Sequence, residues 1–342
     1  MGHIKRKRPR RGSLQFWHRK KANRIYARVR SQPKFNEVKL AGFSGYKAGM
    51  TQVFYVDSHP TSPTKGEELC VPATIIECPP VKAIGLRFYK YSLSSLSAFL
   101  DVFSDSFDMD LKRKLTLPKK KMEQQKLKEA EEKIEQAVDV KILVQTQPRQ
   151  AGFGKKRPEL FEIAIGGEDV KAKFEYAKSL LGKEIKVSEI LTSGVYYDVH
   201  AVTTGKGYQG VIKRFGVRKK FHKSEKGVRR IGTLGAFTGA KTHTVPHPGQ
   251  MGFHTRTEYN KQVLLISNPK DQEINPKGGI VNYGLVKSDY LLFAGSIPGP
   301  KKRLIRITPT IRTKAKQIPQ APELQLISLR SQQGWWKQIY IQ

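Results

Sequence analysis

From Glu37 onward, short β-branched and aromatic runs alternate with Gly, Pro and Ser clusters. That pattern predicts strands over Val38 to Tyr46, Thr51 to Val56, Val71 to Glu77 and Val81 to Tyr89. The middle of the chain changes period. Met122, Leu127, Ala130, Ile134 and Val138 fall on one helical face, with Glu129 four residues before Lys133, which predicts an amphipathic helix over Met122 to Val138. A strand over Lys141 to Thr146 follows, then a strand over Leu160 to Ile165 and a helix over Glu168 to Leu181, closed by Gly182 at the C′ position. Strand patterns resume at Val195 to Thr204, Gln262 to Ser267, Tyr290 to Ala294 and Arg303 to Thr308. The prediction is a mainly β fold with an α/β insertion, in its most economical form one β-barrel interrupted twice. Residues 1–36 form an extended arm, 37–84 and 185–312 the barrel, 85–184 the insert, 206–256 a long loop within the barrel, and 313–342 a tail.

Charge changes this picture, because it is concentrated on the two segments that lack apolar periodicity. The first 36 residues hold thirteen Lys or Arg and no acid, and Gly205 to Arg256 hold twelve against the single acid Glu225. A net charge of +34 on 342 residues repels itself in a compact monomer, so the arm and loop are expected to meet a polyanion. Gly, Pro, aromatic and His residues stud both runs, which suits threading through folded nucleic acid; a membrane-surface helix would need a long apolar face. Within the arm, Ala22 to Val29 is the one stretch expected to become helical when bound. No apolar run reaches the roughly 20 residues of a membrane span, and the predicted compartment is the cytoplasm. Cys70 and Cys78 lack CxxC spacing and read as buried free thiols.

Three constellations bear on chemistry. Gly205, Gly207 and Gly210 spell G-x-G-x-x-G, but VIKRFGVRKKF follows, and its alternation and Gly216 predict no helix to receive a pyrophosphate. The glycines read instead as points where backbone passes close to RNA phosphates. His243 and His247 stand four apart with His254 beyond, yet Pro246, Pro248 and Gly249 forbid the helix that would align them, and no carboxylate lies between Glu225 and Glu258. Phe16, Trp17 and Tyr26 in the arm, and Tyr208, Phe215, Phe221, Phe237 and Phe253 in the loop, are candidates for stacking on bases or wedging between RNA helices. The residues alone leave three readings: a structural RNA-binding protein, an RNA-modifying enzyme using the glycine motif, and a basic chromatin protein.

PRRGSLQFWHRKK (Pro9 to Lys21), GYKAGMTQVF (Gly45 to Phe54), KKRPELFEIAIGG (Lys155 to Gly167), DVHAVTTGKGYQGVIKRFGV (Asp198 to Val217), GQMGFHTRTEYNK (Gly249 to Lys261) and SIPGPKKRLIRIT (Ser296 to Thr308) together resemble the universal large-subunit ribosomal protein family conventionally numbered three, in its archaeal and eukaryotic form. The six segments occur in family order across nearly the whole chain; Met122 to Val138 and the tail after Thr313 match weakly or not at all. The resemblance implies a translation-factor-like barrel on the outer face of the large subunit. It also implies a loop running toward the peptidyl transferase centre, with the arm buried beside it. The family commonly has Trp in a G-x-W run at the loop tip, where this chain has Gly235, Ala236 and Phe237; Phe stacks but cannot donate an indole N–H.

The expected partners are 23S-type rRNA and neighbouring ribosomal proteins, with no membrane, small-molecule substrate, cofactor, metal or catalytic residue. In the arm the candidate RNA contacts are Lys5, Arg6, Lys7, Arg8, Arg10, Arg11, Trp17, Arg19, Lys20, Lys21, Arg24, Arg28 and Arg30. In the loop they are Lys206, Tyr208, Lys213, Arg214, Phe215, Arg218, Lys219, Lys220, Arg229, Arg230, Phe237, His243, His247, Gln250, His254 and Arg256. Lys301, Lys302 and Arg303 complete the set.

Overall fold

The computed structural model describes residues 11–33, 35–93, 95–118, 120, 122–232, 234, 245–312 and 320–331. The chain divides into two compact units: a basic unit of Met1–Ile25 and Val202–Arg256, and a β unit of Tyr26–Ala201 and Thr257–Gln342.

The larger sheet contains β1 (Phe43–Val56), β2 (Glu68–Glu77), β8 (Tyr196–Val202), β11 (Thr255–Ser267), β12 (Tyr290–Ala294), β13 (Leu304–Pro309) and β14 (Glu323–Ile327). Its strand order is β13-β8-β11-β12-β2-β1-β14, and β13 also pairs with β1. The end of one expected run, Phe43 to Tyr46, and the whole of another, Thr51 to Val56, merge into the single strand β1, while Val38 to Gly42 lies outside it. A register shift between Lys47 and Gly49 absorbs the irregular stretch between them against β2. Along one edge β1 meets β13 through Phe43 to Tyr46 and β14 through Val53 to Val56. The strand in the tail has no counterpart in the sequence reading.

The second sheet is the insert, ordered β4-β3-β5-β6 with β7 against β3. Its strands are β3 (Val81–Ser92), β4 (Ser95–Phe103), β5 (Asp139–Thr146), β6 (Leu160–Ala164) and β7 (Glu184–Ile185). Helix α1 (Glu123–Glu132) is shorter than expected: Lys133 leaves helical geometry and a 3-10 turn occupies Ile134–Gln136. Helix α2 (Val170–Leu180) is capped by the Asp169 carboxylate, which accepts from Lys171 N, and ends before Gly182 at φ +77°, the expected C′ glycine. Phe174 and Ala177 on α2 join Leu86, Phe88, Val140 and Ile142 in a buried cluster that continues through Phe43, Ile76, Tyr290, Phe293 and Ile305.

Most of the polar groups inside this core are paired, with Ser44 Oγ and Gln145 Oε1 the buried exceptions among the described residues. The buried Glu77 carboxylate accepts from Gly152 N (2.9 Å), Tyr283 Oη (2.5 Å), Lys287 N (2.6 Å) and Ser288 N (3.0 Å), tying β2 to two loops. Asp198 accepts from Asn260 N at 2.9 Å and Ile311 N at 3.1 Å. His200 is buried between the Thr257 and Thr308 hydroxyls, at 2.9 and 3.0 Å.

Three expectations need correction here. Tyr26, a stacking candidate, is buried, packs on Phe161 at 6.1 Å and donates its hydroxyl to Leu160 O at 2.6 Å, so it serves the β unit and offers no face to a base; Ala22 to Val29, expected to be helical when bound, is not helical in the chain alone. Cys78 is buried, but Cys70 is exposed because it lies on the outer half of β2. A short helix, α3 (Val211–Phe215), does follow the glycine motif, with Gly210 as its N-cap.

Candidate nucleic-acid interface

In the basic unit, two stretches of chain run antiparallel as a ribbon. Thr203 N donates to His254 O (3.0 Å), Phe253 N to Thr204 O (3.2 Å), Lys206 N to Met251 O (3.0 Å) and Met251 N to Gly207 O (2.9 Å). The ribbon ends in β9 (Tyr208–Gln209) paired with β10 (Gly249–Gln250). This antiparallel setting disposes of the dinucleotide reading of the glycine motif, which requires a parallel βαβ unit and a long helix; α3 has five residues and stops at Gly216, φ +66°.

The arm lies on this ribbon. Ser13 caps a 3-10 turn at Leu14–Phe16, accepting from Gln15 N at 3.2 Å. Beyond it, Ala22 N donates to Phe253 O at 2.8 Å, and Lys20 O lies 2.8 Å from His254 Nδ1. Burial holds the His254 imidazole below the ordinary histidine range; the Lys20 carbonyl opposes this, and Arg256, Arg19 and Arg214 add to it.

Aromatic rings stand where carboxylates would be found in an ordinary protein. Phe215, 8% exposed, lies 6.2 Å from Trp17 between centroids. The Arg19 guanidinium sits 4.7 Å and the Arg214 guanidinium 5.1 Å from the Phe215 centroid. The backbone of Gly12 closes on the same ring, since a Cβ there would lie 2.6 Å from it. Arg256 covers Phe16 at 4.2 Å, and Lys21 lies 5.8 Å from Phe253. Arg214 is pinned by backbone carbonyls, donating from Nη1 to His247 O (2.7 Å) and from Nε to Gln250 O (3.1 Å). Desolvation, and then the charge of Arg19, lower the pKa of both Arg214 and Arg256. The cations therefore crowd one another, a geometry that favours an incoming anion. An open cleft lies among Trp17, Arg19, Lys20, Arg214, Val245 and His247.

The cleft thus brings together six of the candidate contacts, Phe215 included. Gln250 is half-buried and Gln250 Nε2 is turned onto Met251 O and Gly252 O. Arg11, Lys206, Tyr208, Lys213, Arg218, Lys219, Arg229 and Arg230 are exposed, as are Lys21 and Arg24, while Lys220 is half-buried. Arg28, Arg30 and Lys301 to Arg303 belong to the β unit, where Lys301 Nζ donates to Val281 O at 2.6 Å. Lys5, Arg6, Lys7, Arg8, Arg10, Phe237 and His243 lie outside the described residues. Sequence reasoning missed two lining residues: His18, whose imidazole within the basic arm was a signal, and Val245, which carries no chemical signal of its own. Among the described residues no group of three His, Cys, Asp or Glu is placed to hold a metal, and no helix is long and apolar enough to cross a membrane.

This is the class of protein whose extended basic segments are organised by aromatic rings and backbone carbonyls. The family model described as ribosomal protein L3 matches residues 1–334, and the chain belongs to that family. The match includes most of the tail that the quoted segments left out. A large ribosomal subunit protein uL3 from Methanothermobacter thermautotrophicus is 44% identical over 332 residues, covering 95% of this chain and 98% of that protein. Proteins of the same name from Methanopyrus kandleri and Methanobrevibacter smithii are 42% and 40% identical over 334 and 335 residues, covering 96% and 97% of this chain and 92% and 99% of theirs. The family is structural, and no enzyme is among these relatives.

Proposed function

We propose that this chain is a structural constituent of the large ribosomal subunit that binds and organises rRNA through its basic unit. The observation that carries this reading is the basic unit's charge: ten Lys or Arg in residues 1–25 and twelve in 202–256 face the single acid Glu225. Such a unit gains its stability from phosphates, and assembly with RNA supplies them. The double pairing of β13, with β8 and with β1, supports reading the larger sheet as a closed, translation-factor-like barrel. The strands within residues 37–80 and 186–312 supply the barrel, and the second sheet, which begins at Val81 and ends at Ile185, the insert. The arm and the 206–256 loop penetrate rRNA, the loop reaching toward the peptidyl transferase centre. Neighbouring ribosomal proteins complete its surroundings.

Large subunits stripped of this protein by a high-salt wash provide the test. Added back, the full chain is expected to sediment with them at one copy per particle and to protect rRNA from chemical probes. Preferential binding to small subunits or to duplex DNA would overturn the reading.

A further inference from the structure

We infer that the cleft of the basic unit is a subsite for a single unpaired nucleotide of an RNA chain, its base against the Trp17 indole and its phosphate on Arg19 and Arg214. The inference rests on the RNA-binding reading above and adds the form of RNA that the site takes.

Three observations converge on it. The cleft combines an aromatic plane with cations at close range, since the Arg19 guanidinium lies 5.9 Å from the Trp17 centroid and 4.7 Å from that of Phe215. A nucleotide joins its base to its phosphate through one sugar, so it presents an aromatic face and an anion at this kind of spacing. A duplex backbone would satisfy the guanidiniums and leave Trp17 and Val245, which also line the cleft, without an apolar partner.

The site is also prepared in advance. Two backbone carbonyls hold Arg214, and both it and Arg19 rest against the Phe215 ring, so neither guanidinium is arranged to follow a distant phosphate. Finally, the structure divides labour between the two aromatic residues. Phe215 is 8% exposed and enclosed by Gly12, Trp17 and the two arginines, so it is a wall of the cleft. Trp17, half-exposed in the same cleft, is the side chain positioned to stack. No carboxylate lines the cleft to repel a phosphate.

The test uses the full chain carrying Trp335→Phe and Trp336→Phe, which leaves Trp17 as its only indole. A twelve-nucleotide single-stranded RNA is expected to quench its fluorescence; the matching duplex and AMP are expected to quench little at the same concentration. Anisotropy of labelled RNA then reads the variants. Trp17→Ala should weaken single-strand binding by roughly 5- to 100-fold and duplex binding less than about twofold, with Trp17→Phe recovering most of the loss. An unchanged melting temperature in Trp17→Ala and Trp17→Phe separates the contact from folding. Equal quenching by duplex, or an equal loss for both RNAs, would overturn the subsite while leaving rRNA binding intact. Quenching by AMP as tight as by the single strand would overturn the assignment to an RNA chain. Failure of the unsubstituted chain to bind any RNA at low salt would instead defeat the proposed function itself.

Discussion

The β unit and the basic unit solve the problem of polar groups in opposite ways. In the β unit, buried charge is met from within: Glu77 takes four donors, Asp198 two backbone N–H groups, and Glu159 the ammonium groups of Lys114 and Lys155 at 3.0 and 2.9 Å. Its apolar side chains form one continuous buried cluster. In the basic unit the buried hydrophobic side chains among the described residues are Val202, Val211 and Phe215, and cations rest on rings and carbonyls. One unit is complete as a folding problem. On the reading proposed above, the other encodes half of an interface, and its charge points to a polyanion as the missing half.

The comparison is tested hardest by salt. If about ten of the basic unit's cations meet phosphates, the log–log slope of RNA affinity against salt should be near −7 to −9, a loss of roughly four to five decades between 50 and 200 mM. A measured slope shallower than about −3 would mean that the basic unit is not held by phosphates.

Removing Glu77 should produce the largest effect on the β unit and none on RNA specificity. Glu77→Ala leaves three backbone N–H groups and the Tyr283 hydroxyl without their acceptor in a buried site, a cost of at least about 3 kcal/mol in urea unfolding. Glu77→Gln, which keeps one acceptor oxygen, should fall between. Arg19→Ala should do the reverse, weakening RNA binding while changing the unfolding free energy by less than about 1 kcal/mol. If the two variants behave alike, the division between the units is wrong.

His200 gives the β unit a pH dependence of its own. Burial, and then the nearby Arg306, push its pKa down from 6.5 to about 4, with Asp198 partly opposing. A histidine depressed in the folded state remains neutral there while the unfolded chain takes up a proton. The unfolded state therefore gains as pH falls from about 6.5 to 4, and stability should decline by roughly 3 kcal/mol across that window. His200→Asn, unable to titrate, should flatten this part of the pH profile. A profile equally steep in both chains would assign the effect to other groups.

Elements whose signal is local were legible in the sequence. The strand Tyr290–Ala294 falls on its expected residues, and α2 differs from its expected ends by two residues and one. Elements that depend on distant partners were not. No element was expected over β4, and its pairing with β3 makes it a strand; β14 in the tail is a strand because β1 offers an edge. For the interface, residue types announced the chemistry but could not show who meets whom. His254 faces the Lys20 carbonyl across 234 positions of sequence, and Phe215, expected to stack on bases, is enclosed by the protein's own arginines. Short apolar periodicity cannot report such contacts, because they are made by cations and backbone.

The smallest predicted effect compares two glycines of similar conformation. Gly182, in the β unit at φ +77°, and Gly207, in the basic unit at φ +68°, both adopt a left-handed backbone that costs other residues about 1 kcal/mol. A Cβ on Gly182 would lie 3.0 Å from Ser104 Oγ, whereas one on Gly207 would meet no atom of the protein within 4 Å. Gly182→Ala should therefore lower the unfolding free energy of the free protein by about 1 kcal/mol or slightly more and leave RNA affinity unchanged. Gly207→Ala should have at most that backbone cost in the free protein. Its further effect should appear only on binding, as an affinity loss beyond that cost, because the space around Gly207 is where RNA phosphates would approach the ribbon. Were Gly207→Ala to lose no more affinity than Gly182→Ala, the glycines of the G-x-G-x-x-G run would be serving the turn of the ribbon and not the close approach of RNA.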